Sequence, residues 1–147
     1  MPVFGSNGVV GWHDAAVVDG SGIVVGRKGT VGSIVMSTSP FWPIDTTYFV
    51  VDAPHRDLRY TAALLQTLGL DQRNSHSAVP GLSREDAHHL TIEVPPLDEQ
   101  RRIADVLRAL DDRIDSVARL EQLLGEVIVS EYRLAVEERE GEGQQSL

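Results

Sequence analysis

Two short polar turns, each enclosed by glycines, carry the side chains with the clearest capacity for chemistry. They read GSNG, which contains Ser6 and Asn7, and GRKGT, which contains Arg27, Lys28 and Thr30. Asn and Arg can hydrogen-bond the edges of nucleic-acid bases with two atoms at once, whereas Ser, Thr and Lys suit phosphate oxygens. Each turn taken alone is also an ordinary surface turn. The pair is therefore a candidate set of nucleic-acid contacts, with surface turns as the alternative.

Residue types used in catalysis and metal binding follow no spacing that predicts an active site. The histidines at positions 13, 55, 76, 88 and 89 show no ligand spacing such as H-E-x-x-H, so structural or solvent-facing positions are expected for them. The sequence has no cysteine and no G-x-S-x-G turn. Asp111, Asp112 and Asp115 are expected on the solvated side of a helix. We therefore expect no enzyme activity, no metal site and no cofactor.

The charge of the chain is unevenly distributed. The formal net charge is −9, from 13 basic and 22 acidic side chains. Residues 1–95 hold six basic and nine acidic groups, and residues 96–147 hold seven and thirteen. Non-specific affinity for nucleic acid comes mostly from Lys and Arg on phosphates, so the acidic total argues against a general polyanion binder. Specific DNA binding by the first part remains open, because most of the acidity lies elsewhere.

Residues 1–52 alternate β-branched stretches with turn residues, which predicts several short strands, and a separate short strand is predicted near residue 90. The expected strands lie at residues 9–10, 16–18, 23–25, 31–36, 48–51 and 90–94. Apolar residues at helical spacing predict one amphipathic helix from Asp57 to Leu68, ended by Gly69. Ser83 followed by Asp86 resembles a capping box for a single helical turn. Pro95-Pro96 then closes this β-rich part.

The segment after Pro96 has a different pattern. Apolar residues follow a 4-3-4-3 rhythm that is typical of a coiled coil, and further apolar positions widen the stripe beyond a two-stranded seam. The rhythm comprises Ile103, Leu107, Leu110, Ile114, Val117, Leu124 and Ile128. We expect one helix to about residue 140, with a hairpin at Gly125 as the alternative. No apolar run reaches the roughly 20 residues that span a bilayer, and we expect a cytoplasmic protein without membrane contact.

Several segments together resemble one known family. VPPLDEQRRIADVLRALDDRID, at residues 94–115, is similar to the segment that follows a target-recognition domain in specificity subunits of type I restriction–modification systems. Four earlier segments resemble successive motifs of one subgroup of these recognition domains. They read VFGSNGVVGWHD, GIVVGRKGTVGSI, FWPIDTTYFV and AVPGLSRED. The likeness covers most of residues 3–120, and five motifs in order form a specific combination.

The resemblance implies a function and partners. Such domains recognise one half of a bipartite DNA site, and their helices pair antiparallel and dock methyltransferase subunits. This chain has one domain and one helix, so it resembles a half subunit. Family members usually carry a few dozen further residues before the first motif, so we expect the recognition domain to be partial at its N-terminus. The restriction subunit is a further candidate partner.

These inferences combine into one prediction. The fold class is α+β, with a β-rich target-recognition domain at 1–95, a long coiled-coil helix at 96–140 and a disordered tail at 141–147. The expected DNA contacts are Ser6, Asn7, Arg27, Lys28 and Thr30. The expected partner-helix contacts, which would form a homodimer, are Ile103, Leu107, Leu110, Ile114, Val117 and Leu124. The alternative function is a protein–protein adaptor that docks on methyltransferase subunits without touching DNA.

Overall fold

The computed structural model describes residues 1–73 and 81–144. Six strands precede three α-helices. The strands are β1 (Pro2–Gly5), β2 (Gly8–Trp12), β3 (Gly22–Gly26), β4 (Ile34–Ser37), β5 (Trp42–Pro43) and β6 (Thr47–Val51). The helices are α1 (Leu58–Thr67), α2 (Arg84–His88) and α3 (Leu97–Gln144), and a 3-10 turn covers Leu70–Gln72. Small sheets followed by a long helix confirm the α+β class predicted from the sequence.

Strand β3 is the centre of an antiparallel sheet with the order β4-β3-β6. All five of its residues are buried. Because side chains alternate along a strand, Ile23 and Val25 pack with Ala62 of α1, whereas Val24 packs on the opposite face with Phe41. Burial on both faces explains why the sequence of β3 is a continuous apolar run and not an alternating one.

The other sheet has the order β2-β1-β5, with β1 antiparallel to β2 and parallel to β5. Phe4 of β1 meets Phe41 edge to face, with ring centroids 5.6 Å apart and planes at 85°. Phe41 is fully buried, and its cluster also contains Val24 of the first sheet. This cluster therefore joins the two sheets through side-chain packing.

The two short helices have the ends that the sequence predicts. The Asp57 side chain accepts a hydrogen bond from the backbone N–H of Tyr60 at 2.9 Å, which satisfies a free donor in the first turn of α1. Gly69 follows the end of α1 with φ at 60°, a conformation that glycine adopts without steric cost. At α2, Ser83 accepts from the N–H of Asp86 at 3.3 Å. The local signals for both helices are confirmed.

Three strand predictions are wrong in whole or in part. At residues 16–18 the structure has one isolated bridge, between Val18 and Phe41. In an antiparallel ladder the next hydrogen-bonded pair would be Ala16 with Pro43, and Pro43 has no N–H to donate. Residues 31–33 form a turn, because Gly32 has φ at 75° and its N–H donates a hydrogen bond to the carbonyl of Gly26. Strand β4 therefore begins only at Ile34. Residues 90–94 form no strand.

The failed strand at 90–94 and two unpredicted strands have the same cause. Alternation at 90–94 is real in the sequence, but Ile92 and Val94 are exposed and pair with no strand in the described residues. Conversely, β1 and β5 are short and carry weak patterns, yet pairing stabilises them. A strand needs a neighbour, and the neighbour is not readable from the local pattern.

Helix α3 is continuous from Leu97 to Gln144. Gly125 lies inside it, so the hairpin alternative is wrong. The helix runs through 141–144, which were expected to belong to the tail, and residues 145–147 lie outside the described residues. By packing, one compact unit spans Met1–Ala104 and the second begins at Asp105. None of the helices in the described residues is long and apolar enough to cross a membrane.

Candidate nucleic-acid interface

The first polar turn is the loop of the β1–β2 hairpin. Gly5 and Gly8 pair across it, so Ser6 and Asn7 form a two-residue connection. Gly8 adopts φ 103°, which L-residues with a Cβ rarely reach, and this explains the glycine after Asn7. Ser6 is half-buried and Asn7 is exposed at the tip. The hairpin therefore presents the Asn7 amide to solvent.

The second polar turn is the connection between β3 and β4, and backbone hydrogen bonds hold it on both sides. The N–H groups of Arg27 and Lys28 both donate to the carbonyl of Thr46, at 2.9 and 3.1 Å. The carbonyl of Arg27 accepts from the N–H of Leu82 at 2.8 Å, and Lys28 pairs with Gly81 in an isolated bridge. Lys28 thus projects from an ordered backbone, and it is exposed.

The structure brings the two turns into contact. The Ser33 hydroxyl, at the end of the β3–β4 connection, donates to the backbone carbonyl of Ser6. A Cβ added at Gly29 would lie 3.1 Å from the Ser6 hydroxyl oxygen, so only glycine fits there without displacement. Gly29 also has φ 77°. Exposed Asn7, Lys28 and Thr30 therefore belong to two loops that touch each other, a contact that no local sequence pattern predicts.

Arg27 is held against the protein by its side chain as well as its backbone. Its Nη1 donates to the carbonyl of Asp45 at 3.4 Å, and its Cζ lies 5.5 Å from the centroid of the Tyr48 ring. The Arg84 Cζ lies 5.4 Å from the same centroid. The Tyr48 hydroxyl donates to the carbonyl of Leu82 at 3.1 Å, which fixes the ring. Two guanidinium groups therefore share one aromatic ring beside the two loops.

Sequence reasoning missed Tyr48 and Arg84. Tyr48 occurred only as part of a strand, and Arg84 only as the residue after a helix cap. Tyr48 also lines a cavity of about 470 Å³ that is bounded by β6, α1 and α2 and is walled mainly by apolar side chains. The ring thus separates the core from the charged surface. An aromatic residue close to the basic turn would have pointed to Tyr48. Tyr48 follows Lys28 by 20 residues, however, so the sequence alone does not show that the two lie close together.

The groups in this region suit a ligand that offers anionic oxygens and planar hydrogen-bonding edges. They are an amide, an ammonium, a hydroxyl and two guanidinium groups, all of which can donate hydrogen bonds. Guanidinium groups match phosphate and base edges with two parallel hydrogen bonds. The described residues contain no group of three His, Asp or Glu side chains that could hold a metal ion.

The second expected binding surface lies along α3. Ile103 and Leu107 are half-buried, whereas Leu110, Ile114, Val117 and Leu124 are exposed. Further exposed apolar residues widen the surface: Val106, Leu120, Leu123, Val127, Ile128, Val129 and Tyr132. A contiguous exposed apolar surface of this extent is typical of a protein–protein contact.

Fold and surface together define an α+β domain that presents polar loops and continues into a long, apolar-striped helix. A family model described as the type I restriction modification DNA specificity domain matches residues 1–125. Over 123 residues the chain is 27% identical to the "Type I restriction enzyme EcoprrI specificity subunit" of Escherichia coli. That match covers 83% of this chain and 31% of the relative, so the chain spans less than a third of the relative's length.

The chain belongs to the type I restriction–modification DNA specificity domain family. This confirms the resemblance that the sequence motifs indicated. The domain boundaries and the individual contact residues stay predictions, which the next subsection takes up.

Proposed function

We propose that this chain recognises DNA as a half specificity subunit and directs methyltransferase subunits to a bipartite site. The observation that carries the proposal is the contact between the two glycine-bounded loops, in a member of a DNA specificity family. Each loop alone would be an ordinary surface turn. Joined, they supply several donors on one ordered surface, which single turns do not.

The proposed roles follow from side-chain chemistry. Arg27 reads a guanine, since its guanidinium can pair with two acceptors on the base edge and is pre-oriented by Tyr48. Asn7 reads a base edge from the tip of the hairpin. Lys28, Thr30 and Ser6 bind phosphate oxygens, and they set the position of the domain on the duplex without reading sequence.

The acidic net charge is compatible with this role. Arg27, Lys28 and Arg84 are three of the six basic residues in the first 95, and all three occur in or beside the proposed surface. Most of the negative charge lies in α3. Affinity would then depend on a local cluster, and the salt dependence of binding would be shallow for a DNA-binding protein.

We further propose that α3 pairs with α3 of a second copy in antiparallel orientation. Residues 97–120 contain five arginines and six carboxylates, whereas residues 121–144 contain two arginines and seven carboxylates. Parallel pairing would place the two strongly acidic halves side by side, and antiparallel pairing avoids that repulsion. A twofold dimer would present two identical loop surfaces and therefore read a site with two inverted halves.

Co-expression with the methyltransferase subunit, followed by mapping of methylated positions on genomic DNA, tests the function. A new interrupted motif should appear only when this chain is present. A stable complex that adds no motif would contradict the proposal. It would favour the adaptor alternative, which the exposed apolar surface of α3 supports by itself. A cytoplasmic location, and contact with a restriction subunit, stay predictions.

A further inference from the structure

The two loops of the proposed surface are anchored to different degrees, and the β3–β4 connection is the firmer one. The N–H of Gly26 donates to the carbonyl of Ser33 at 2.8 Å and closes the loop at its base. Gly32 packs against the 3-10 turn so closely that an added Cβ would overlap the backbone nitrogen of Asp71. Together with the backbone bonds of Arg27 described above, these contacts make the loop a fixed part of the domain.

The tip of the β1–β2 hairpin has fewer anchors. A two-stranded hairpin is only marginally stable in water by itself, so its tip needs support from the rest of the domain. Outside the β1–β2 ladder, one hydrogen bond among the described residues reaches Ser6 or Asn7, and it is the bond from the Ser33 hydroxyl to the Ser6 carbonyl. This bond joins residues 27 positions apart. Ser33 therefore links the weakly anchored loop to the firmly anchored one.

Glycines on both sides leave room for this bond. A Cβ added at Gly26 would lie 2.5 Å from the Ser33 hydroxyl oxygen and would overlap the carbonyl oxygen of Thr30. On the other side, Gly29 allows the Ser6 side chain to approach the loop, as described above. Ser33 itself is half-buried, so water competes less for its hydroxyl than it would at an exposed position. The contact is therefore closely packed and depends on one side-chain donor.

We propose that Ser33 is a positioning residue that holds the hairpin tip against the β3–β4 loop and thereby fixes where Asn7 lies relative to Lys28 and Thr30. Ser33 touches no DNA in this proposal. A binding residue has to be held within about 0.5 Å of its productive position by the residues that support it. The consequence for DNA rests on the proposed function, whereas the consequence for the order of the hairpin tip does not.

The order of the hairpin tip can be measured without DNA, by NMR relaxation of the backbone amides in the full chain. In the unchanged chain we expect order parameters of about 0.85 at both Asn7 and Lys28. Ser33→Ala removes the hydroxyl and should lower the order parameter at Asn7 below about 0.6, with that at Lys28 unchanged. Ser33→Thr keeps a hydroxyl and should preserve the order at Asn7.

Ser37→Ala is the matched control, since the Ser37 hydroxyl also donates to a backbone carbonyl, that of Ser39 at 2.8 Å. It should leave the order parameter at Asn7 unchanged. An ordered Asn7 in Ser33→Ala, or an Asn7 already mobile in the unchanged chain, would overturn the proposal. If Ser33→Ala and Ser33→Cys both fail to fold by circular dichroism, Ser33 is a stability residue and the proposal is also wrong.

The DNA consequence has its own readout. Selection of bound duplexes from a randomised pool would identify the base position whose preference is lost in Asn7→Ala. Ser33→Ala should reduce the preference at that same position by about fivefold or more and leave the preferences at other positions unchanged. Ser33→Thr should restore it.

Two results would contradict this consequence. One is a uniform loss of affinity in Ser33→Ala with every base preference kept, and the other is an Asn7→Ala variant that loses no preference. If the unchanged chain selects no preferred sequence, the proposed function fails. The order parameters at Asn7 still decide in that case whether Ser33 holds the hairpin tip.

Discussion

The two parts of this chain use apolar residues in opposite ways. In the β-rich part, Ile23 and Phe41 are fully buried, and β3 is covered on both faces. In α3, Leu110 and Ile114 are 55% and 64% exposed. The first part completes its own core, whereas the helix carries a core-like stripe that none of the described residues covers. A large exposed apolar stripe is typical of a surface that binds another surface.

The contrast between buried and exposed apolar residues shows that the same residue types can specify either a fold or a binding surface. Apolar residues in β3 and at Phe41 specify the fold of one domain, and their partners lie within the chain. Apolar residues in α3 are exposed in the described residues, and we propose that they contact a second copy of the chain. The same residue types therefore have different consequences for stability, and that difference can be measured.

The largest effect on the stability of the chain itself is expected at Phe41. Phe41→Ala should lower the free energy of unfolding by about 3–5 kcal/mol, because it removes the ring that joins the two sheets and leaves a cavity. Urea denaturation at low protein concentration would measure it. Phe49→Ala, at a half-exposed position of β6, is the control and should cost less than about 1 kcal/mol. Equal losses would show that the core lies elsewhere.

The next largest effect concerns the helix stripe. The double variant Leu110→Lys and Ile114→Lys should weaken self-association at least about 100-fold, because two chains would each bury two charges in place of apolar groups. Light scattering would measure the mass, and circular dichroism would check that the helix persists. Gln122→Lys adds a charge on the polar side and should leave the dimer intact. A dimer that survives the double variant would place the seam on another face.

Structures that depend on local signals were predictable from the sequence. The cap residues Asp57, Gly69 and Ser83 act within their own helix ends, and the 4-3-4-3 rhythm of α3 needs no partner to be recognised. The two short helices were placed correctly, and α3 is a continuous helix as expected but extends to Gln144, beyond the expected end near residue 140. The expected strand at residues 16–18 failed because its extension depended on Pro43, a residue more than 20 positions away.

The candidate site was predictable only in part for the same reason. Glycine-bounded turns mark Asn7 and Lys28 as exposed loop residues without further information. The contact of Ser33 with Ser6, and the sharing of the Tyr48 ring by two arginines, arise from tertiary packing. No periodicity or motif in the sequence encodes either contact.

A smaller effect separates the two neighbouring basic residues of the loop surface. Arg27→Ala should relax sequence preference and cost about 1–3 kcal/mol of binding to the preferred site, whereas Lys28→Ala should weaken all sequences alike and make the salt dependence shallower. Competition binding at several salt concentrations would measure both. Arg101→Ala removes the same charge from α3 and is the control. Equal and negligible effects of Arg27→Ala and Lys28→Ala would remove these residues from the interface.

A still smaller effect on DNA binding is expected from the aromatic ring that lies beside Arg27 and Arg84. Tyr48→Leu removes the ring between Arg27 and Arg84 and should cost about 0.5–1 kcal/mol of DNA binding, since cation–π contacts at partly exposed sites have that size. Tyr48→Phe keeps the ring, loses only the bond to the Leu82 carbonyl, and should bind nearly as the unchanged chain does. Stability of both variants would be followed by thermal denaturation.

On α3, Arg108 pairs with Asp105 at 3.4 Å, but both side chains are more than half exposed. Arg108→Ala should therefore change stability and DNA binding by less than about 0.5 kcal/mol, because water and salt screen such pairs. If Tyr48→Leu proved as neutral as Arg108→Ala, the ring would not orient Arg27 for binding. The Arg27 guanidinium would then be no better ordered for binding than the exposed charged side chains of α3. Asn7 would remain as the residue proposed to read a base edge.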